Sequence, residues 1–522
     1  MKALLGLFSL AAATSLHAAP YDLLLRNGRV ADGSGNPAYF ADVAVRDGRI
    51  AAIGKLAGDA KRTVDCKGHF IAPGFVDVHT HAEGIEDLPL AENFVRMGVT
   101  TLVLGNCGGS KLDLDAYFKE LEATNISANV CSLIGHNTVR SSAMGGSFMR
   151  PPNADELTKM KSLVEKAMKD GAVGLSTGLI YLPGSFAKTD EIAALARVAA
   201  ARDGIYSSHM RHEDTRIQSA LEELFTIARE AGIRANISHI KLSGKAAWGR
   251  TAEVLAAIER ARAAGLDITQ DQYLYPASST SISTLIPGEF REGGSKEFSE
   301  RLADPRKKAE MVAAMKKAML ARGHESYDYV AIASYRRNAQ LNGLRLPEAA
   351  KKVRGSATLD DQIELVLDIQ NHGGCSCVFF GMDEQDLQKY LAHPNTMFAS
   401  DSGVRKFGEG VPHPRGYGNN ARVLGRYVRE LKLLTPEDAV RRMSSLPATT
   451  FRLNDRGFIR VGAWADLVVF NPATVKDNAT FESPHHYATG FKLVTVNGVP
   501  VVEDDQHTQA RPGKCLRHEP AR

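Results

Sequence analysis

The sequence has few cysteines, little net charge and no long apolar run after its first residues. Six cysteines occur in 522 residues, too few for the disulfide framework that stabilises many small secreted folds. One pair could still oxidise after export, although Cys375 and Cys377 are poorly placed to bridge each other. The net charge of +4 is nearly balanced, and no basic run carries interleaved aromatic residues, which argues against a nucleic-acid partner.

The N-terminus has the pattern of an export signal. Lys2 precedes a short apolar run, and small residues suited to cleavage end at Ala18 and Ala19. The run is too short to span a bilayer, and no later segment is transmembrane in character. We therefore predict a secretory signal peptide over residues 1–19, secretion into the bacterial periplasm, and no membrane attachment after cleavage.

Both ends of the remaining chain are rich in short strands. Turns such as Asn27-Gly28 and Asp47-Gly48 separate the strands near the start, and Asn497-Gly498 follows a similar run near the end. We predict one small β-sandwich domain built from both termini, residues 20–72 and 447–522.

The middle of the chain alternates short apolar strands with helical stretches, which is typical of repeated βα units. Eight segments have strand character, at residues 75–79, 101–104, 128–133, 174–176, 205–208, 235–238, 267–269 and 396–399. We predict an α/β fold, a (β/α)8 TIM barrel over residues 73–446. The interval at about 283–393 is too long for a βα connection, so we expect an inserted subdomain between strands 7 and 8.

The most informative stretch is Ala72-Pro73-Gly74-Phe75-Val76-Asp77-Val78-His79-Thr80-His81. Histidines spaced i, i+2 at the end of a strand lie on the same face and can converge on one ion. Other strand ends supply further polar residues, namely Cys107, His209, His239 and Asp401. Each alone could be a core residue or a helix cap, but barrel enzymes keep their sites at the carboxyl ends of the strands.

These residue types suit a catalytic zinc site. Imidazole and thiolate are good zinc ligands, and a catalytic zinc keeps one position open for water. Zinc lowers the pKa of that water towards neutrality. A carboxylate such as Asp401 can accept the water proton and pass it to a leaving nitrogen. The set predicts a metal-dependent hydrolase.

At these residues the chain resembles the amidohydrolase superfamily and, within it, the N-acyl-D-amino-acid deacylases, or D-aminoacylases. Family-like stretches cover nearly the whole chain after the signal, including PGFVDVHTH, GNCG, GLSTGLIY, SSHMRHE, SHIKLSG, SDSG and HPRGYGNNARVLGRYVRE. Many superfamily members carry a carboxylated lysine on strand four that bridges two metals. Strand four here has no lysine, and Cys107 matches the cysteine that D-aminoacylases use instead. The cysteine in place of the lysine distinguishes this chain from the hydantoinases and the dihydroorotases.

The resemblance implies a role for each matching residue. Cys107, His209 and His239 would hold one tight zinc ion. His79 and His81, with Cys107 bridging, would form a second, weaker metal position. Asp401 matches the catalytic acid/base.

The resemblance also implies substrate contacts. Arg415 matches the arginine that binds the substrate carboxylate, a role that suits a bidentate guanidinium. Tyr181 aligns with a tyrosine that polarises the scissile carbonyl. Further carboxylate-side contacts fall at Lys241, Tyr273 and Ser279. His212 and Glu213 beside His209 are expected to lie behind the ligands, in contact with them, or to be solvated.

The sequence therefore predicts a zinc-dependent hydrolase that cleaves N-acyl-D-amino acids, a small-molecule substrate, into a carboxylate and a free D-amino acid. The D configuration comes from the resemblance alone. A dipeptidase acting on L-Xaa-D-Xaa needs the same zinc, base and carboxylate contact and stays open as an alternative. A non-catalytic zinc-binding protein of the same fold is the alternative from another class. The oligomeric state is not predicted.

Overall fold

The computed structural model describes residues 21–519, so the predicted signal peptide lies outside the described residues. The first part forms five strands: β1 (Tyr21–Val30), β2 (Tyr39–Arg46), β3 (Arg49–Gly54), β4 (Ala60–Asp65) and β5 (Phe70–Pro73). β1 pairs with β2 on one side, and on the other its first half pairs with β4 and its second half with β5. The sheet therefore branches at β1.

The barrel begins directly after β5. Its first seven strands comprise β6 (Phe75–Asp77), β7 (Val99–Leu104), the two segments β8 (Asn129–Ser132) and β9 (Ile134–Gly135) of strand three, β10 (Gly174–Gly178), β11 (Ile205–His209), β12 (Arg234–Ile237) and β13 (Ile268–Gln272). Neighbouring strands are parallel and almost every residue in them is buried. Burial on both faces allows consecutive apolar residues, as at Leu102, Val103 and Leu104 of β7, although several of these strands also carry buried polar residues such as Ser207 and Gln270.

Seven helices connect these strands and cover the barrel. They are α1 (Glu92–Val95), α2 (Leu114–Thr124), α3 (His136–Met144), α4 (Ala154–Asp170), α5 (Thr189–Ala200), α6 (Ile217–Ala231) and α7 (Thr251–Ala263). α4 begins with a capping box, in which the Asn153 side chain accepts from the Glu156 backbone and Glu156 accepts from the Asn153 backbone. Gly171 ends this helix in the left-handed conformation that glycine adopts without strain.

An inserted subdomain follows β13. It contains the antiparallel strands β14 (Ser278–Ser281), β15 (Val330–Ser334) and β16 (Ser376–Phe379) and the helices α8 (Ser295–Ala303), α9 (Pro305–Ala321), α10 (Leu346–Arg354) and α11 (Leu359–Asn371). It has its own apolar core, which includes Met311, Met315 and Leu365. The predicted bounds of 283–393 need correction, because β14 already pairs with β16, whereas α12 (Glu384–Ala392) packs on α7 of the barrel.

The last barrel strand, β17 (Thr396–Phe398), pairs with β13, and a parallel bridge between Thr80 and Ser402 joins the first and eighth strands. Three helices follow: α13 (Arg415–Arg422), which continues as a π-helix over Val423–Glu430, then α14 (Pro436–Met443) and α15 (Ser445–Thr450). Each of the eight predicted strands coincides with a barrel strand. The predicted (β/α)8 barrel is confirmed.

The C-terminal strands complete the small domain. β18 (Leu467–Phe470), β19 (Phe491–Val496), β20 (Val499–Glu503) and β21 (Gln506–His507) extend the first sheet, because β18 pairs with β5. The sheet has nine strands drawn from both termini. The described residues after about 510 leave this domain and lie on the barrel, where the Leu516 N–H donates to the Val130 carbonyl at 2.7 Å. Within residues 21–519 no helix has both the length and the apolar character to cross a bilayer.

Candidate metal centre and active site

Polar side chains from five barrel strands meet at the carboxyl end of the barrel. The positions are His79 and His81 after β6, Cys107 after β7, His209 at the end of β11, His239 after β12, and Asp401 after β17. All are buried except His81, whose side chain is 40% exposed. The parallel strands end at one rim, so residues distant in sequence become neighbours there.

Cys107 lies at the centre of the donor atoms. Its Sγ is 3.3 Å from Nε2 of His79, 3.6 Å from Nδ1 of His209 and 3.6 Å from Nε2 of His239. A tetrahedral zinc ion with bonds of about 2.0–2.3 Å holds neighbouring donors about 3.3–3.8 Å apart. The spacing and the thiolate and imidazole donors therefore fit zinc.

The backbone at this rim takes a conformation that most residues avoid. Cys107, His239 and Asp401 have φ angles of 53°, 35° and 51°, which place all three in the left-handed region. Gly178 on β10 makes room for Cys107, because a Cβ at that position would lie 2.0 Å from the Cys107 carbonyl oxygen. The strained backbone at these three positions directs their side chains into one site.

Glu213 contacts the outer nitrogens of the two histidines beside Cys107. Its carboxylate lies 3.7 Å from Nε2 of His209 and 3.1 Å from Nδ1 of His239. Lys241 Nζ is 2.6 Å from the same carboxylate and 2.8 Å from Nδ1 of His239. Burial opposes ionisation of Glu213, but Lys241 and the two imidazoles outweigh it and hold the pKa of this carboxyl below its usual range. These contacts orient the His239 ring with Nε2 towards Cys107, whereas Nε2 of His209 makes no hydrogen bond and Glu213 acts on it through its charge.

The other two histidines each lie beside an aspartate. Nδ1 of His79 lies 3.5 Å from Asp271 Oδ1 and makes no hydrogen bond, although it is buried. His81 Nε2 lies 3.2 Å from Asp401 Oδ1. With Asp401, these histidines form a second group of donors able to hold a metal ion.

Asp401 is shared between the metal donors and a buried arginine. Its Oδ1 is 3.7 Å from Nε2 of His79, and its Oδ2 is 3.0 Å from Nη1 of Arg415. Burial would raise the pKa of Asp401, but the Arg415 charge and the histidines lower it well below its usual value. For Cys107, burial is likewise outweighed, here by the His79 charge and hydrogen bonds from the neighbouring histidines, so the thiol pKa falls well below normal. Both groups are therefore held as anions, the form that binds a cation.

Below the site, Asp77 joins the first and eighth strands. Its carboxylate accepts hydrogen bonds from the backbone N–H groups of His79 at 3.2 Å and Ser400 at 3.0 Å. Complete burial raises the pKa of Asp77 to about 7 despite these bonds. The contacts fix the relative positions of the segments that carry His79 and Asp401.

The five predicted substrate contacts gather around this centre. Arg415 is 3% exposed, lies over the Tyr273 ring and donates from Nη2 to the Ser279 carbonyl at 3.4 Å. The Tyr181 hydroxyl is 2.9 Å from Thr280 Oγ1, and the Tyr181 ring packs edge-on against His209. Lys241 is also present, but its ammonium group is paired with Glu213, so it is not free to bind a carboxylate without breaking that pair.

An open cleft leads to the centre between the barrel and the insertion. His209, His239 and Asp401 line its inner end together with Tyr181. The insertion supplies much of the other side, including Ser279. A small molecule in the cleft would therefore contact the metal donors and the insertion at the same time.

One site residue was missed in the sequence, and another was left with two alternative positions. Asp271, at the end of β13, lies beside His79 and accepts from the His239 backbone N–H at 2.8 Å. The predicted strand ended before it, at residue 269, which hid its position at the rim. Glu213 was expected either behind the ligands or in solvent, and the structure has it behind the ligands, beside His209 and His239.

Comparisons with known proteins identify relatives along nearly the whole chain. A model of the amidohydrolase family matches residues 62–502. An N-acyl-D-glutamate deacylase from Alcaligenes xylosoxydans xylosoxydans is 36% identical, covering 95% of this chain and 97% of the relative. A D-aminoacylase from the same organism is 37% identical over 95% of this chain and 98% of its own length.

A solved structure extends the likeness to three dimensions. The N-acyl-D-glutamate deacylase of Bordetella bronchiseptica, in complex with zinc and a phosphonate inhibitor, is 34% identical and superposes with a TM-score of 0.82. The match covers 96% of this chain and 100% of that one.

Proposed function

Because the chain belongs to the amidohydrolase family and, within it, to the N-acyl-D-amino-acid deacylases, we propose that it hydrolyses the amide bond of N-acyl-D-amino acids. The products are a carboxylate and a free D-amino acid. The relatives named above support the substrate class, since both act on this kind of molecule by name. The single observation on which the proposal depends most is Cys107 within 3.3–3.6 Å of three histidines, beside Asp401.

Zinc is the proposed cofactor. Cys107, His209 and His239 would hold the tight ion, and His79 and His81, with Cys107 bridging, would form a weaker second position. When bound, zinc supplies a Lewis acid that polarises the amide carbonyl and activates a water molecule.

Asp401 is the proposed proton carrier. Its carboxylate faces the metal donors, so it can accept a proton from the attacking water and deliver it to the leaving nitrogen. Arg415 keeps this carboxylate ionised and, from the same position, can bind the substrate carboxylate once a substrate competes for its guanidinium. Tyr273 and the Ser279 carbonyl hold that guanidinium in place. Tyr181, packed on His209, is placed to contact the scissile carbonyl.

A substrate panel tests the proposal with one purified sample of zinc-loaded protein. The panel contains N-acetyl-D-leucine, N-acetyl-L-leucine, N-acetyl-D-leucine amide and an L-Xaa-D-Xaa dipeptide. We expect release of free D-leucine from N-acetyl-D-leucine and far less turnover of the L isomer. The amide lacks the α-carboxylate, so its kcat/KM should also be lower. Preferential cleavage of the dipeptide would favour the dipeptidase alternative. Absence of all turnover with zinc bound would favour a non-catalytic protein.

Export remains part of the proposal. N-terminal sequencing of protein isolated from the periplasm should begin after Ala18 or Ala19. Recovery of the intact N-terminus in the cytoplasm would contradict the prediction.

A further inference from the structure

The cleft continues away from the metal donors to a region built by two loops. One loop, after β12, contributes Ser243 and Gly244, and the other, after α9, contributes Arg322 and His324. The loops are joined where the Ala246 N–H donates to the Arg322 carbonyl at 3.3 Å. We call the cleft wall formed by Ser243, Arg322 and His324 the distal site.

Most charged groups in the cleft are neutralised by a partner. Lys241 pairs with Glu213 at 2.6 Å, and Asp401 pairs with Arg415 at 3.0 Å. Two arginines on the wall near His212 are paired as well. Arg211 lies 2.9 Å from Glu223, and Arg216 lies 2.6 Å from Asp214.

Arg322 is the exception among the charged groups that line the cleft. No carboxylate within residues 21–519 forms an ion pair with its guanidinium. The exposed Lys245 beside it has no carboxylate partner in the described chain either. Two cations, Arg322 and Lys245, therefore act on the distal site against the carboxylate of Asp328, which leaves it net positive.

His324 adds a polar group to the same wall. It is 4% exposed, stacks on Tyr329 with ring centroids 3.8 Å apart, and its Nε2 has no hydrogen-bond partner. Burial, followed by the charge of Lys245, lowers the pKa of this imidazole; the Asp328 carboxylate opposes this, and Arg322 lowers the pKa further. A buried nitrogen without a partner is costly, and only a group that forms a hydrogen bond with Nε2 would offset that cost.

We propose that the distal site binds a second carboxylate of the substrate, beyond the α-carboxylate. The inference rests on the proposed function, because it assumes that the amide lies at the metal donors and that the molecule extends along the cleft to Arg322. The second carboxylate can belong to the amino-acid side chain, as in an N-acyl derivative of a dicarboxylic amino acid, or to the acyl group, as in an N-succinyl amino acid. An arginine suits either source because it can bind a carboxylate with two parallel hydrogen bonds.

Two matched substrate pairs test the inference and distinguish the sources. N-acetyl-D-glutamate is compared with N-acetyl-D-glutamine, and N-succinyl-D-leucine with N-succinamoyl-D-leucine, since each pair differs only in one carboxylate. We expect kcat/KM to favour the acid in at least one pair by roughly tenfold to a hundredfold, the range for a hydrogen bond to a charged group. Arg322→Met should abolish that preference and Arg322→Lys should restore part of it. Arg336→Met, which removes an exposed arginine of the insertion outside this cleft, should leave it intact.

N-acetyl-D-leucine serves as the reference in every variant. Its turnover should be nearly unchanged in Arg322→Met, which shows that the variant is folded. Turnover of N-acetyl-D-leucine without an Arg322-dependent preference in either pair would overturn the distal site alone. No turnover of any D substrate by the wild-type protein would overturn the proposed function and this inference with it.

Discussion

The two groups of metal donors differ in how the surrounding protein holds them. His209 and His239 are buried, and one carboxylate, Glu213, contacts the outer nitrogen of each. Nδ1 of His79 and Nε2 of His209 both lack a hydrogen bond, so the difference lies in two other histidines: Nδ1 of His239 is 3.1 Å from Glu213, whereas the His81 side chain is 40% exposed. Groups near a metal that fix the ligand orientation raise its affinity. We therefore expect the tighter zinc position to be the one that includes His239, whose ring Glu213 and Lys241 orient before an ion binds.

The largest effect should come from the donor that both groups share. Cys107→Ala removes the thiolate at the centre of the site, so bound zinc and hydrolysis should both be lost. Metal analysis and an N-acetyl-D-amino-acid assay measure the two quantities, and Cys515→Ala, on the C-terminal segment, is the matched control. Full zinc occupancy in Cys107→Ala would show that the thiolate is not a ligand of the tight ion.

The next effect separates chemistry from metal binding. Asp401→Asn keeps the size of the side chain but cannot accept a proton, so kcat should fall by about 10²–10⁴-fold. Zinc at Cys107, His209 and His239 should be retained, since Asp401 belongs to the other group. An Asp401→Asn enzyme with normal kcat would mean that another residue carries the proton.

Glu213→Gln tests the support of the tight position itself. The change keeps the shape but removes the negative charge between His209, His239 and Lys241, so zinc affinity should fall by about 10–100-fold. Competition with a chelator of known affinity measures this without relying on activity. Glu222→Gln, an exposed residue on the neighbouring helix, should have no effect. Equal zinc affinities in the two variants would show that the Glu213 charge does not support zinc binding at this position.

The smallest effect is expected at the weaker position. His81→Ala should abolish binding of a second metal ion, while one zinc per chain remains and activity changes by less than about tenfold. Calorimetric titration of zinc into the metal-free variant counts the sites. Loss of the tight ion in His81→Ala would reverse the assignment of the two groups.

Much of the fold and of the donor set could be predicted from the sequence. His79, Cys107, His209, His239 and Asp401 each follow an apolar strand, and barrel geometry brings such positions to one rim. What the sequence could not show is which donors have a partner. Glu213 and Lys241 are separated by 28 positions, and their pairing depends on how two loops fold over the rim.

The insertion illustrates the same limit. Its presence followed from the length of the chain between two barrel strands, but its bounds required the pairing of β14 with β16. Arg322 and His324 are unremarkable at the end of a charged helix in the sequence. Only the packing of the insertion against the loop after β12 brings them to the cleft.

The central claim is that a single tightly held zinc ion enables this chain to deacylate N-acyl-D-amino acids. The most direct measurement is a titration of metal-free protein with zinc, in which bound zinc and hydrolysis of N-acetyl-D-leucine are recorded together. We predict no hydrolysis without zinc and a rise that is essentially complete at one ion per chain. Undiminished hydrolysis by the metal-free protein, or no hydrolysis after the first ion is bound, would contradict the account.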